Sequence, residues 1–196
     1  SSFSLSIFLL LKKQYRRFPG MESETSLVKQ FKACHFHLDE LFLLQQEALL
    51  QAKLDNALII LKIFKTCHDL HMRFEDDKLI PKYASLPEQG KWDATLYQQE
   101  HQKVLELYKK IEQGLSWLVQ QDLNPSQLRR NIIKLLDRQK SFKGLCEHHQ
   151  EREESSLFAE LDRQSDANWR VEIRTSFSEI WDRKIELEFD SIRSLS

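Results

Sequence analysis

His71-Met-Arg-Phe-Glu75, continuing Asp-Asp-Lys-Leu-Ile-Pro81, has a second copy in His149-Gln-Glu-Arg-Glu153, continuing Glu-Ser-Ser-Leu-Phe-Ala159. An i, i+4 pair lies on one face of a helix, one turn apart. Imidazole and carboxylate placed that way can bind one metal centre, and two copies on two helices, joined by His35 and His101, can enclose two metals. The flanking residues agree with helices. Leu58, Leu61, Phe64 and Cys67 lead into His71 and Glu75 at helical spacing, and Ile132, Leu136 and Phe142 lead into His149 and Glu153.

Outward from these two segments the same pattern recurs. Val28, Phe31, His35, Leu38, Phe42, Gln45 and Leu49 form one stripe, which predicts a helix over about 25–51. The second helix is expected over about 55–79, with Asp55 as its cap and Pro81 and Pro87 ending it. A third, over about 92–119, carries Leu96, His101, Leu105, Tyr108 and Leu115. Asn124-Pro125-Ser126 breaks the chain and opens a fourth, because proline suits a first helical turn. The connections are short, so neighbouring helices should run antiparallel. The expected fold is all-α: an up-down-up-down four-helix bundle over 21–162 with an additional C-terminal helix.

The order of the candidate ligands repeats. His35 precedes the first pair as His101 precedes the second, and the extra length of the second half lies mostly around 120–126. In an antiparallel hairpin turning near residue 53, the 71/75 level faces the 33–35 level of the first helix. His35 fits and His37 is close, whereas Gln45 lies too near the turn. The candidate metal ligands are therefore His35 (with His37 as the alternative), His71, Glu75, His101, His149 and Glu153. Burying so many ionisable groups at one level without a cation would be very costly. His68 and His148 fall off these stripes and are expected at the surface or behind the ligands. Cys34, Cys67 and Cys146 each lie within a turn of a proposed ligand; small apolar residues packing near a core account for them, with a thiol role in redox or iron transfer as the alternative.

Composition bounds the alternatives. Of 196 residues, 41% are hydrophobic and 30% charged, with four Gly and four Pro, which favours long helices and a core that needs no staples. The net charge of −1 with mixed signs offers no basic patch for nucleic acid. Three cysteines show no secretory disulfide pattern, which points to a reducing, cytoplasmic setting.

The two ends read differently. Phe3 to Leu11 is apolar and is followed by Lys12-Lys13-Gln14-Tyr15-Arg16-Arg17, the reverse of a signal peptide and too short to span a bilayer. The expected natural start is Met21, with residues 1–20 dispensable upstream sequence; a short basic-apolar membrane anchor is the alternative. Residues 163–168 read as a linker. Phe177, Ile180, Trp181, Ile185, Phe189 and Ile192 then give a fifth amphipathic helix, expected to dock on the bundle with Trp169 and Trp181. The same stripe would otherwise form a homodimer or partner surface.

HFHLDELF, LHMRFEDDKLIP, WDATLYQQEH and CEHHQEREESSLF together resemble hemerythrin-like HHE cation-binding domains, over roughly residues 27–162. The resemblance implies a four-helix bundle holding two non-haem iron ions through His35, His71, Glu75, His101, His149 and Glu153. The oxygen carriers of that family use a fifth histidine one turn before the third-helix histidine, where this chain has Tyr97. The four-histidine, two-glutamate set is more similar to the bacterial di-iron proteins linked to iron–sulfur repair and nitric-oxide stress, and reversible oxygen carriage becomes the less expected role. Tyr97 is expected to face the metal centre, one turn from His101.

The ligand chemistry leads to related expectations. Imidazole with carboxylate suits iron, zinc, copper or manganese. Two carboxylates offset half the charge of two divalent cations, so the site stays cationic and favours small anions. If Glu75 and Glu153 bridge, each metal gains two histidines and two oxygens, with room for a small diatomic ligand or peroxide. Two functions follow: a di-iron protein that binds O2 or NO or handles iron, or a metal-stabilised helical interaction module without chemistry. A histidine-rich set donates less negative charge and should hold the ferrous state more readily, which favours ligand binding or iron handling over oxygenase chemistry, and it names no catalytic residue.

Overall fold

Few helix breakers leave the chain little to build except helices, and the computed structural model, which describes residues 26–193, contains no strand among the described residues. The first helix, α1 (Leu27–Leu50), begins at Ser26, whose hydroxyl accepts from the Lys29 N–H. Asp162, far along the chain, adds a second cap: its carboxylate accepts from the Leu27 N–H at 2.7 Å and from the Ser26 hydroxyl at 2.8 Å. The helix closes through Ala52, whose φ of 57° is left-handed without being glycine, while the Lys53 N–H returns to the Ala48 carbonyl. α2 (Leu54–Phe74) follows directly. Asp55 lies in its first turn and not at its cap, Lys53, which makes no side-chain capping bond. The carboxylate therefore acts on the positive helix end by charge alone.

Pro81 does not end the second helix. The chain passes from α2 into a π-helical turn, Glu75–Leu79, and continues as α3 (Ile80–Ala84). Across that turn the Ile80 N–H reaches back five residues to the Glu75 carbonyl. Proline is tolerated because it stands in the first turn of the segment that follows. The same device recurs in the second half. α5 (Pro125–Arg152) runs into a π-helical turn, Glu153–Leu157, where the Phe158 N–H reaches the Glu153 carbonyl, and then into α6 (Phe158–Gln164). Each π turn begins on one of the paired glutamates. Such turns, with one extra residue inserted, concentrate at functional sites.

Between these halves, α4 (Ala94–Val119) starts at Asp93, whose side chain accepts from the N–H groups of Thr95 and Leu96. Asn124 and Gln127 form a reciprocal capping box at the head of α5. α1 packs on α2, α2 on α4, α4 on α5, and α5 back on α1. α7 (Ala167–Arg193) follows after only Ser165 and Asp166, a shorter break than the linker expected over 163–168, because α6 runs on to Gln164. The Asp166 carboxylate accepts from the Asn168 and Trp169 N–H groups and starts the new helix at once. α7 lies on α2 and α1, burying Ile173, Phe177, Trp181, Ile185 and Ile192, and Gln30 donates to its Arg174 carbonyl at 3.0 Å. Ile180, expected on this stripe, is exposed. Trp169 is half-buried beside the core. The expectations for residues 1–20 and for the side chain of Phe189 lie outside the described residues. None of the described helices is long and apolar enough to cross a membrane.

Two aromatic groups bracket the level of the histidines. Phe31 stacks on Phe158 with centroids 4.7 Å apart and meets Phe177 at 4.6 Å, one helical turn before His35. Two turns after His35, Phe42 lies 5.0 Å from Phe142 and 5.1 Å from Phe64. The connection between α3 and α4 is pinned by Tyr83, whose hydroxyl donates to the Trp92 carbonyl at 2.6 Å and accepts from the Gly90 N–H at 2.8 Å. A Cβ at Gly90 would sit 2.2 Å from Ser156 Oγ in the second π turn. Gly90→Ala is therefore expected to cost about 1–3 kcal/mol, the range for overpacking, read as a lower urea midpoint at unchanged slope. An unchanged midpoint would show that this connection moves aside freely.

Candidate metal centre

The structure brings His35, His71, Glu75, His101, His149 and Glu153 together, all buried, from α1, α2, α4, α5 and the two π turns. Their ligand atoms form two groups. One is His35, His71, Glu75 and Glu153; the other is Glu75, His101, His149 and Glu153; within each, the donor atoms lie within 4.8 Å of one another. Both carboxylates serve both groups. Glu75 Oε1 is 3.1 Å from His71 Nε2 while its Oε2 is 3.4 Å from His101 Nε2. Glu153 Oε2 is 3.2 Å from His35 Nε2 while its Oε1 is 2.8 Å from His149 Nε2 and 3.7 Å from His101 Nε2.

These inward atoms are close but poorly bonded to one another. Both oxygens of Glu75, both oxygens of Glu153, and Nε2 of His101 and His149 are buried without an aligned hydrogen bond. The Nε2 atoms of His35 and His71 face each other at 3.2 Å. Buried polar groups in folded proteins are almost always satisfied. Here six such atoms lie together in the two ligand groups, and their chemistry, imidazole nitrogen with carboxylate oxygen, fits a first-row divalent cation.

The outward ring nitrogens, by contrast, are all held. His35 Nδ1 lies 3.0 Å from Glu154, His101 Nδ1 2.9 Å from Asp76, and His149 Nδ1 2.8 Å from Glu100. His71 Nδ1 lies 3.3 Å from Cys34 Sγ. Lys32 pairs with Glu154 at 3.1 Å, and Arg152 pairs with Glu100. An Nδ1–H donated outward turns the Nε2 lone pair inward, the arrangement that orients histidine ligands in metal sites.

Electrostatics record the same convergence. Burial alone would lower the pKa of His35, but Glu153 and Glu154 outweigh it and raise the group to about 9. His149 is likewise pulled down by burial and held up by Glu153 and Glu100, at about 9. His101 rises to about 12 because Asp76, Glu153 and Glu75 together outweigh its burial. Burial pushes both central carboxyls up, and Glu153 adds to this at Glu75, yet the histidines around them hold Glu75 and Glu153 below the usual carboxylate range. Burial raises the Cys34 thiol, with Glu75 adding to it.

The remaining expectations sort by position. His37 is buried but belongs to neither group, and burial lowers it to about 4. His68 is buried rather than at the surface; it stands behind His71, the two rings 6.3 Å apart and nearly parallel, and lies 5.1 Å from Phe64. Separated by three positions from His71 on the same helix, it shares that residue's buried face. His148 is exposed beside Glu151. The three cysteines are free thiols, all buried. Cys146 and His68, with Phe42, Phe64 and Phe142, wall a cavity of about 180 Å3 whose rim carries the exposed Asp39 and Glu147.

Tyr97 is buried with its ring edge-on to His149, centroids 6.3 Å apart, but its hydroxyl donates to the Arg152 carbonyl at 3.4 Å. A hydroxyl engaged there is not presented to a ligand between the histidines. Tyr97→Phe is accordingly expected to leave metal content and azide affinity unchanged, at a cost of about 1 kcal/mol of folding stability for the lost hydrogen bond. A tenfold change in azide affinity would place the hydroxyl at the site instead.

Ligand spacing alone does not point to the residues that hold the outer nitrogens, although their order repeats. Asp76 and Glu154 each directly follow a paired glutamate, and Cys34 and Glu100 each directly precede the single histidine of their half. No family model matches the chain, and neither the curated proteins nor the solved structures contain a match.

Proposed function

We propose that this chain is a hemerythrin-like, up-down-up-down four-helix-bundle protein that holds two non-haem iron ions and uses them to bind a small diatomic ligand or peroxide, or to handle iron, under oxidative or nitrosative stress. The observation that carries the reading is the convergence of six buried side chains, with orphaned inward atoms on Glu75, Glu153, His101 and His149 and with the outward nitrogens of all four histidines tied down. In this reading His35 and His71 would hold one ion and His101 and His149 the other, with Glu75 and Glu153 shared between the two groups. Iron held there would supply reversible binding and one-electron reduction of small ligands. Glu154, Asp76 and Glu100 keep the histidine rings in the tautomer and orientation that direct Nε2 inward. Phe31, Phe158 and Phe177, with Trp181 of α7 standing 6.5 Å from the His71 ring, exclude bulk water and favour small ligands over large ones.

Three free, buried thiols suit a reducing compartment, and we place the protein in the cytoplasm. A homodimer through α7 would use its outer face, where Val171, Ile180 and Leu187 are exposed. The test is spectroscopic. Protein loaded with iron without oxygen, then oxidised, is expected to show ligand-to-metal absorption that shifts on adding azide, and the ferrous protein is expected to take up NO. Iron that binds tightly but responds to neither would leave a metal-stabilised interaction module as the better description.

A further inference from the structure

The two ligand groups are related by an approximate two-fold repeat that runs through the sequence: His35 matches His101, His71 matches His149, and Glu75 matches Glu153. The repeat extends to the residues behind them. Glu154, after Glu153, holds His35 Nδ1 at 3.0 Å, as Asp76, after Glu75, holds His101 Nδ1 at 2.9 Å. Glu100, before His101, holds His149 Nδ1 at 2.8 Å; its counterpart, before His35, is Cys34, 3.3 Å from His71 Nδ1. One member of this last pair is a carboxylate and the other a thiol.

The difference has a chemical consequence. A carboxylate accepts the imidazole N–H strongly and makes the opposite nitrogen a better donor to a cation, whereas a thiol is a weak acceptor. Charge acts in the same direction. His101 and His149 are backed by two carboxylates, Asp76 and Glu100, with Arg152 paired to the latter. His35 and His71 are backed by one, Glu154, itself paired with Lys32.

We propose that the two metal positions are inequivalent: the His101/His149 position, backed by Glu100, fills first and holds its ion tightly, while the His35/His71 position, backed by Cys34, is the weaker and exchangeable one. The inference rests on the metal centre proposed above. Groups behind metal ligands typically change affinity about 10–100-fold, so the two steps are expected to differ by about that factor. A readily exchanged ion beside a retained one would suit iron donation.

Cobalt(II) titrated into the chelator-stripped full chain, followed by calorimetry and visible absorption, resolves the steps. Two steps separated by about 10–100-fold are expected in the natural sequence. His149→Ala should abolish the tight step and leave a weak one; His71→Ala should do the reverse. Glu100→Gln, nearly the same shape, should weaken the tight step by about tenfold or more and leave the weak one in place. Two equal steps in the natural sequence, survival of the tight step in His149→Ala, or equal weakening of both steps by Glu100→Gln would each overturn the proposal. An absence of cobalt binding at any concentration would overturn the metal centre itself, so the two failures are distinguishable.

Discussion

Replacing Glu153 by glutamine is expected to strip both metals from the protein, whereas His149→Ala is expected to leave one. Glu153 belongs to both ligand groups, with one oxygen 3.2 Å from His35 Nε2 and the other 2.8 Å from His149 Nε2. Glutamine keeps the volume and the helix but removes the charge and replaces one oxygen by an NH2 that cannot ligate. Loss of a direct, charged ligand should exceed the about 10–100-fold effect of an indirect partner, at both positions. Metal per chain should then fall from about two to a small fraction of one in Glu153→Gln, and to about one in His149→Ala, whose imidazole serves a single group. Atomic emission on protein reconstituted with excess ferrous iron, corrected for unbound metal, reads both numbers and counts the weaker ion left in His149→Ala. Full occupancy in Glu153→Gln would mean that the bridging role is wrong.

The second large effect is on stability. Ions held at about 1,000 times their dissociation constant stabilise the folded state by about 4 kcal/mol, which for a chain of this size corresponds to a rise in melting temperature of about 8–16 °C. Chelation should remove that increment, and its size should depend on pH in a defined direction. Without metal, His35 and His149 carry protons up to about pH 9 and His101 up to about 12. Groups with raised folded-state pKa values contribute stability that is fully present below the ordinary histidine value near 6.5 and lost as pH rises through the folded one. The stripped protein should therefore weaken from about pH 7 to 10. Glu75 and Glu153, held below the usual carboxylate range, contribute stability above their ordinary value and lose it in acid. Metal replaces the histidine protons, so the loaded protein should hold its melting temperature on the alkaline side, and the gap between the two forms should widen there. A melting temperature indifferent to chelator at pH 7 and at pH 9 would remove the support for a structural metal.

Much of this site is legible in the sequence, for a physical reason. Helical periodicity fixes a face, so His71 with Glu75 and His149 with Glu153 have to point the same way, and hairpin geometry puts His35 at their level. The ranges of α1 and α4 are readable to within a few residues because their apolar stripes mark them, and the head of α5 because Asn124-Pro125 opens it. The π turns are not readable. One extra residue per turn leaves no compositional signal, and Pro81 reads naturally as a stop although it is tolerated just beyond such a turn. The groups behind the histidines are obscured for a different reason: an acid beside another acid, as in Glu75-Asp76 and Glu153-Glu154, reads as a solvated run until the fold turns one member inward and the other toward a neighbouring helix. His68 reads as peripheral because α2 alone does not reveal that Phe64 and Phe142 close over it.

The most direct measurement is the metal content of the protein after purification without chelators and after anaerobic reconstitution with ferrous iron, determined by elemental analysis against amino-acid quantitation. About two transition-metal ions per chain are expected after reconstitution, matching the two ligand groups. Stoichiometry below about a tenth of an ion per chain after reconstitution, with the helices intact by circular dichroism, would contradict the di-metal centre, because such a protein would carry its buried histidines and glutamates without a cation.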